Sequence, residues 1–352
     1  MSSYDAILFL SFGGPEGPDD VMPFLHNVLR GKNVPEARMK EVAHHYELFD
    51  GVSPINGQNR ALIANLEAEL KERSIKVPIY WGNRNWHPML GDTLKQMQKD
   101  GVKKALAFVT SAYSSYSGCR QYLEDIVKAK EETQVDIEIH KLRVFYNHPL
   151  FIEANIEHVR TGLSEFNESD GAVAIAFTAH SIPNAMAQTC AYTSQLSEAC
   201  QLVSSGVGHG RCKLVYQSRS GPPSQPWLEP DICDHLKELH GQGIKNVLVH
   251  PIGFISDHME IVYDLDTEAR ALAAELGMKL VRSRTAGTNK LFQKLMGDLV
   301  AERLESSKGV EIDRPTLGCS GPAPDFCSPE CCAYTPVRPA QAAAANPSRP
   351  SK

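Results

Sequence analysis

The chain has 352 residues, of which 42% are hydrophobic and 22% are charged, and its formal net charge is −6. It is long enough for two domains with their own cores, it has the composition of a soluble globular protein, and it offers no basic surface to nucleic acid. No apolar run approaches the roughly 20 residues of a membrane span, and the first residues lack the basic start of a signal peptide, so we expect a cytoplasmic protein. In that compartment the nine cysteines are expected to be thiols or metal ligands and not disulfides.

The first half of the chain alternates short apolar runs with helical patterns. We expect strands at 5–10, 77–81, 104–110 and 135–140 and an amphipathic helix at 59–72. The glycine-rich turn at 11–17 lacks both the spacing of a dinucleotide fingerprint and the lysine of a phosphate-binding loop. The loop at 111–122 is rich in aromatic and hydroxyl side chains, which suits a flat aromatic ligand, although such loops are also common where nothing binds.

The same alternation begins again after a bridging helix at 148–166. Strands are expected at 172–178, 213–217, 246–250 and 278–282. This repetition predicts two α/β domains with parallel sheets, at 1–150 and 151–318, whose strand-end loops face a shared cleft.

Three carboxylates follow the strand at 246–250 in a predicted helix. Glu260, Asp264 and Glu268 are spaced four residues apart and therefore share one helix face, where their mutual repulsion favours a cation nearby. Ligands of open α/β sheets bind at the carboxyl ends of strands, so we interpret this face as the metal-handling edge of an active site. A solvated acidic surface is the plainer alternative. His180 follows the expected strand at 172–178 and lies in the same topological position, although a single histidine there is more often structural than catalytic.

The C-terminal part changes in composition. A cysteine-rich segment at 319–332 contains Cys319, Cys327, Cys331 and Cys332 among Gly, Ser and Pro. Residues 333–352 are rich in Pro, Ala and Ser without a periodic pattern, so we expect them to be disordered.

Five stretches of the sequence resemble the ferrochelatase family, whose enzymes insert ferrous iron into a porphyrin. They read SFGGPE at 11–16, GVSPI at 51–55, FTAHSIP at 177–183, QSRSGPP at 217–223 with PWL at 226–228, and PIGFISDHME at 251–260. The resemblance implies two doubly wound, Rossmann-like domains of the chelatase type, with the porphyrin in the cleft and ferrous iron as a substrate. It makes His180 the catalytic histidine and Glu260 its partner, with both of them, Asp264 and Glu268 handling the metal. It leaves open which of His180 and Glu260 handles iron and which takes the pyrrole protons.

The resemblance also supplies contacts with the porphyrin. Ser53 and Tyr122 are expected to touch the ring, Arg30 to pair with a propionate, and Phe12 and Trp227 to line the site. The pattern looks closest to the branch that metallates coproporphyrin III, although some enzymes of that branch have a tyrosine where this chain has Phe12. The alternatives are a protoporphyrin IX ferrochelatase, a cobalt or nickel chelatase, and a carrier of haem or metal without turnover.

Some ferrochelatases carry a [2Fe–2S] cluster on tail cysteines and one cysteine of an earlier loop. By that resemblance the ligands here are Cys119, Cys319, Cys327 and Cys332, with Cys332 preferred to Cys331. Four thiolates also suit zinc, so a structural zinc site is the competing interpretation. We expect a monomer that makes transient contacts with other enzymes of haem synthesis.

Overall fold

The structure is a computed structural model that describes residues 4–31, 34–167, 169, 171–221 and 224–335. The predicted disorder of 333–352 therefore falls, from residue 336 onward, outside the described residues. None of the helices formed by the described residues combines the length and the apolar character that a membrane crossing requires.

The first half of the chain forms a four-stranded parallel sheet with helices on both faces. Its strands are β1 (Ala6–Ser11), β2 (Ile79–Asn83), β3 (Lys104–Val109) and β4 (Glu138–Lys141), in the order β2-β1-β3-β4. Its helices are α1 (Pro18–Val28), α2 (Glu36–Glu47), α3 (Ile55–Glu72), α4 (Leu90–Lys99) and α5 (Gln121–Thr133), and a π-helical turn at Tyr116–Arg120 precedes α5. Helix α6 (Pro149–Leu163) leads into the second half.

The second half repeats this topology. Its strands are β5 (Val173–His180), β6 (Cys212–Gln217), β7 (Asn246–His250) and β8 (Lys279–Arg282), in the order β6-β5-β7-β8. Its helices are α7 (Asn184–Ala187), α8 (Tyr192–Val207), α9 (Ile232–Gly241), α10 (Met259–Ile261), α11 (Arg270–Glu275) and α12 (Lys290–Ser306). A π-helical stretch at Val262–Ala269 joins α10 to α11, and a 3-10 turn at Ala286–Thr288 precedes α12. The fold class and the eight strands expected from the sequence are confirmed, with strand ends displaced by up to three residues.

Alternate residues of the strands enter different cores, because successive side chains of a strand point to opposite faces. In β1, Ile7 and Phe9 belong to a large central core, whereas Leu8 and Leu10 belong to a separate outer core under α4 and α5. In the second sheet, Phe177 belongs to the same central core as Phe9. One face of each sheet therefore contributes to a hydrophobic core that the two halves share.

Helix α12, the last helix of the fold, packs against both halves. Its Phe292 and Leu295 are completely buried in the central core, where α12 packs against α3 of the first half and against α6. Arg143, after β4, donates to both carboxylate oxygens of Glu302 on α12, at 2.7 and 2.8 Å. Because α12 contacts both halves, the boundaries at 150 and 318 remain a prediction.

The chain after α12 has no helix or strand up to residue 335, and it lies across both halves. The Leu317 N–H donates to the Asn147 carbonyl at 2.8 Å, and Asp325 pairs with Arg303 of α12 at 2.9 Å. Farther on, the Tyr334 ring contacts that of Tyr116 edge to face, with centroids 5.9 Å apart. The cysteine-rich segment is therefore held against the body of the protein.

We predict that Leu295→Ala lowers the free energy of unfolding by about 2–5 kcal/mol, because it leaves a cavity between α12, α3 and α6. Urea unfolding followed by circular dichroism measures this loss. The control is Leu48→Ala, since Leu48 is 53% exposed and its truncation creates no cavity. Equal effects of the two substitutions would contradict the description of a core that depends on α12.

Candidate active site

The order β6-β5-β7 places three strand ends side by side at one edge of the second sheet. His180 ends β5 and Gln217 ends β6. The loop after β7 crosses the end of β5, where the Gly253 N–H donates to the Thr178 carbonyl at 3.0 Å. A Cβ on Gly253 would lie 2.6 Å from the Cβ of Ala179, so only glycine allows this crossing without displacement. The crossing brings the helix that begins at Met259 to the end of β5.

That helix is α-helical for its first turn and π-helical at Val262–Ala269, a stretch that sequence periodicity did not predict. Glu260 lies in the first turn, and Asp264 and Glu268 lie in the π-helical stretch. Single π-helical turns inside α-helices are rare and occur frequently at functional sites. Leu265 and Ala269 of this stretch are buried against the outer face of the second sheet, which orients the opposite face away from the core.

His180 and Glu260 form the centre of the candidate site. The Nε2 of His180 lies 3.4 Å from Oε2 of Glu260, and its Nδ1 is hydrogen-bonded to the carbonyl of Ser181. Burial by itself lowers the pKa of His180, but the Glu260 charge and these two hydrogen bonds outweigh burial and raise it to about 9. His258 contacts the same carboxylate oxygen at 3.9 Å, whereas burial lowers its pKa. Without a metal, His180 and Glu260 therefore form an ion pair.

Asp264 is the next carboxylate along the helix. The Ser218 hydroxyl donates to its Oδ2, and the Gln217 amide donates to the same atom at 3.3 Å. Burial raises the pKa of Asp264 to about 7, against the effect of the Ser218 hydrogen bond. Glu268 lies farther out and is exposed, and its pKa is raised by partial burial and by the charge of Asp231. The three carboxylates thus follow one another along the helix, and the middle one is more buried than the other two.

This arrangement combines the groups that bind a divalent transition metal and move protons. Imidazole and carboxylate are both ligands of ferrous iron, and both can accept a proton near neutral pH. Within the described ranges, no group of three or more His, Cys, Asp and Glu side chains is arranged as a ready-made metal site.

The first half contributes aromatic side chains near this helix. Phe12, Phe24 and Trp86 pack in one apolar cluster together with Met259 and Tyr263 of the second half. This cluster extends from the turn after β1 to the helix that carries Glu260. An aromatic and apolar surface beside an imidazole and carboxylates suits a flat macrocycle whose centre binds a metal.

Ser53, Tyr122 and Arg30 are the other residues of the first half that were expected to contact the porphyrin. Each of them interacts with a neighbouring residue. Ser53 is buried against the glycine turn, where its N–H donates to the Pro15 carbonyl at 2.9 Å. Tyr122 is buried, and the guanidinium of Arg84 lies 4.5 Å from its ring centroid and 5.8 Å from that of Phe12. Arg30 is exposed and donates to the Asn27 side chain at 2.6 Å.

The Trp227 loop is attached to the segment that follows His180. Trp227 forms an isolated antiparallel bridge with Pro183, and the Ser181 hydroxyl donates to the Leu228 carbonyl at 2.8 Å. Residues 222 and 223 of this loop lie outside the described residues. Trp227 is therefore fixed beside the candidate site by backbone contacts.

Four thiols come together where the tail meets the loop after β3. Cys119 is hydrogen-bonded to Cys327, Cys327 also to Cys331, and the Sγ atoms of Cys331 and Cys332 are 3.7 Å apart. The hydrogen bond to Cys327 and burial raise the pKa of Cys119, whereas the pKa of Cys327 is lowered. Cys319 is exposed, its N–H donates to Glu198 on α8 at 2.7 Å, and no contact with another cysteine is found for it in the described part of the chain.

Sequence reasoning found His180 and the carboxylates but missed Gln217 and Ser218 as partners of Asp264. Their position was available as a signal, because they follow the predicted strand at 213–217, next to the strand that His180 ends. It also missed Arg84, which directly follows β2 and whose guanidinium lies beside the rings of Phe12 and Tyr122. These residues act through contacts between elements that are distant in the chain.

Comparisons with known proteins place this site in a family context. The sequence matches the family described as Ferrochelatase over residues 4–304. A Rhodopirellula baltica protein named "Ferrochelatase" is 52% identical, with 96% of each chain covered. A Streptomyces coelicolor protein named "Coproporphyrin III ferrochelatase" is 48% identical, with 98% of each chain covered. The family resemblance of the five sequence stretches is thereby confirmed.

Among solved structures, SirB from Bacillus subtilis with Fe³⁺ has a similar fold. The TM-score is 0.51 at 13% sequence identity, over 86% of this chain and 97% of that chain. At this identity the similarity concerns the fold alone.

We predict that the His180 imidazole of the metal-free protein titrates near pH 9 and that Glu260→Gln lowers its pKa, because the largest effect that opposes burial is then lost. NMR of the imidazole resonances measures both values. A raised histidine pKa stabilises the fold fully below pH 6.5, and this contribution is lost as the pH rises to about 9. Glu260→Gln should reduce that decline in stability, and an unchanged His180 pKa in the variant would contradict the ion pair.

Proposed function

The chain belongs to the ferrochelatase family, and we propose that it inserts ferrous iron into coproporphyrin III in haem synthesis. The observation that carries this proposal is the position of Glu260, whose carboxylate contacts His180 at 3.4 Å and precedes Asp264 by about one helical turn. The named Streptomyces coelicolor relative supports coproporphyrin III as the porphyrin.

Metallation requires that two protons leave the pyrrole nitrogens and that iron reaches the ring. We propose that His180 and Glu260 act directly at the porphyrin ring, since Glu260 is the first of the three carboxylates along the helix and contacts His180. Asp264 and Glu268 follow Glu260 along the helix and are proposed to serve either incoming iron or outgoing protons. Glu260 is shared by both steps because it lies between the imidazole and the second carboxylate.

The porphyrin is proposed to lie against the aromatic residues of the first half. Phe12 and Trp227 are proposed to line the ring, whereas Ser53 and Tyr122 are buried beside the glycine turn and Arg84 and are proposed to contact it from there. Arg30 is exposed and can pair with a propionate. Phe12 has no hydroxyl, so this position supplies no oxygen ligand to iron in the product.

The experiment that tests the proposal is anaerobic incubation with Fe²⁺ and either coproporphyrin III or protoporphyrin IX, followed by absorbance. Faster metallation of coproporphyrin III supports the proposal. Faster metallation of protoporphyrin IX would indicate that protoporphyrin IX is the substrate. Turnover with Co²⁺ or Ni²⁺ but not with Fe²⁺ would indicate a different chelatase. Porphyrin binding without any metallation would indicate a carrier.

We predict that His180→Ala reduces the rate of metallation at least a hundredfold, in the range typical of a lost acid–base group, while porphyrin binding persists. Stopped-flow absorbance measures the rate, and quenching of porphyrin fluorescence measures binding. His240→Ala is the matched control, because His240 is an exposed histidine on α9. A variant that keeps more than a few per cent of the rate would remove His180 from its central role.

The finer part of the proposal is a [2Fe–2S] cluster at the four thiols, which the contacts among these thiols support although they are not arranged as a ready-made metal site. Cys119, Cys327, Cys331 and Cys332 are linked by successive thiol contacts, and four thiolates are the usual ligands of this cluster. Lys141 acts electrostatically on Cys119, and the Arg120 guanidinium donates to the carbonyl of Cys331 at 3.2 Å. These cations suit a group with negative charge.

We replace Cys319 by Cys331 in the proposed ligand set, because Cys331 contacts two of the other thiols. When bound, the cluster supplies iron–thiolate bonds that join the tail to the loop after β3. Such a link restricts the unfolded chain over about two hundred residues and stabilises the fold mainly in that way.

We predict that protein purified without oxygen is red-brown and contains about two iron and two sulfide per chain. Cys331→Ser should abolish the colour and the bound iron, whereas Cys319→Ser should keep both. Visible absorbance and metal analysis measure the result, independently of activity. A colourless protein with one zinc per chain would favour the zinc site, and retention of the cluster in Cys331→Ser with loss in Cys319→Ser would restore Cys319 as a ligand.

We further propose a cytoplasmic monomer that contacts other haem-pathway enzymes transiently. The nine cysteines are all free thiols in the structure, which is typical of proteins in a reducing compartment.

A further inference from the structure

A parallel ring stack connects the two halves beside the candidate site. The imidazole of His45, on α2, lies on the ring of Tyr263, with centroids 3.6 Å apart and planes inclined by 6°. Both residues are half-buried. Tyr263 belongs to the π-helical stretch of the second half and directly precedes Asp264.

The same helix has two further contacts with α2. Met259 is only 3% exposed and packs in an apolar cluster with Met39, Ala43 and Tyr46 of α2. Tyr46 is buried, and its pKa is raised by burial and by the charge of Glu260. Helix α2 therefore packs against the helix that carries the carboxylates at Met259 and Tyr263, close to Glu260.

The π-helical stretch needs such support because its backbone hydrogen bonds alone specify its geometry poorly. Isolated helical turns are marginal, and π-helical turns are rarer than α-helical ones. Leu265 and Ala269 anchor one side of the stretch to the second sheet. The contact of Tyr263 with His45 anchors the other side, so it fixes the rotation of the helix about its axis.

We propose that His45 is a positioning residue for iron, because its stack on Tyr263 holds the carboxylates of Glu260 and Asp264 in their orientation toward His180. This inference rests on the proposed function. The part of His45 that acts is the flat face of its ring. Phenylalanine at position 45 can therefore replace it, whereas alanine cannot.

The kinetic test compares variants at the stack by steady-state metallation of coproporphyrin III with varied Fe²⁺. His45→Ala should raise the KM for Fe²⁺ about threefold to tenfold, the range expected for a lost ring stack, while kcat and the porphyrin KM change less than twofold. His45→Phe should stay within about twofold of the wild type. His44→Ala is the matched control, since His44 is the neighbouring histidine and its side chain is 65% exposed.

A double-variant comparison separates the stack from independent effects of the two residues. If His45 acts through Tyr263, the double variant His45→Ala with Tyr263→Ala should be no worse than Tyr263→Ala alone. Additive effects would overturn the proposal, as would a His45→Phe variant as impaired as His45→Ala. An equal rise in the porphyrin KM would also overturn it, because it would show a general loosening of the cleft.

Hydrogen exchange provides a readout that does not depend on turnover. Backbone amides at 259–269 should exchange faster in His45→Ala than in the wild type or His45→Phe, while amides of β5 and β7 remain unchanged. Unchanged exchange at 259–269 would overturn the proposal. If the wild type metallates no porphyrin, the proposed function fails, and the exchange experiment still decides whether His45 holds the helix.

Discussion

The contact between His180 and Glu260 depends on the order of three neighbouring strands. His180 ends β5, and Glu260 follows β7, which pairs with β5 along its length. Parallel strands bring their carboxyl ends to one edge, but the two side chains meet only because the intervening loop crosses the end of β5 at Gly253. An imidazole and a carboxylate separated by 80 positions in the chain are thus placed 3.4 Å apart. Asp264, Ser218 and Gln217 extend the arrangement from this pair.

The shared core gives the candidate site its rigidity. Phe9 and Phe177 belong to different sheets but are buried in one hydrophobic cluster. Side chains of α12 pack against the same cluster. Loops at the strand ends of the two halves also contact each other, since the Tyr113 hydroxyl donates to the Ile252 carbonyl at 3.0 Å. Groups supplied by separate halves therefore keep their relative positions, which a site for a large flat substrate requires.

Sequence reasoning was most successful where a repeating pattern reflects a repeating physical environment. Buried parallel strands are continuous apolar runs, so eight of them could be predicted, and with them the strand-end position of His180. The π-helical stretch could not be predicted, because its residues fit an α-helical pattern equally well and its geometry depends on packing from both sides. The stack of His45 on Tyr263 is a contact between residues more than two hundred positions apart, which no local pattern encodes.

The thiols illustrate the same limit. Spacing in the tail favoured Cys332 over Cys331 but could not show that Cys319 lies apart, because this depends on where the tail returns to the loop that holds Cys119. In the structure, Glu198 holds the backbone at Cys319, and the following residues reach the loop only near Cys327. The family resemblance thus suggested a site with thiol ligands, whereas the path of the tail between Cys319 and Cys327 determines which thiols are in contact.

The carboxylates of Glu260, Asp264 and Glu268 repel one another. Their neighbours explain how the helix that carries them remains folded without a metal. Glu260 is balanced by the protonated imidazole of His180. Asp264 accepts hydrogen bonds from Ser218 and Gln217, and with a pKa of about 7 it carries a proton part of the time at neutral pH. Glu268 is exposed, so water screens its charge. The repulsion among the carboxylates is relieved by protons and by hydrogen-bond donors. A divalent cation can take the place of both. A row of three bare charges would strain this helix, and these neighbours relieve that strain in the metal-free structure.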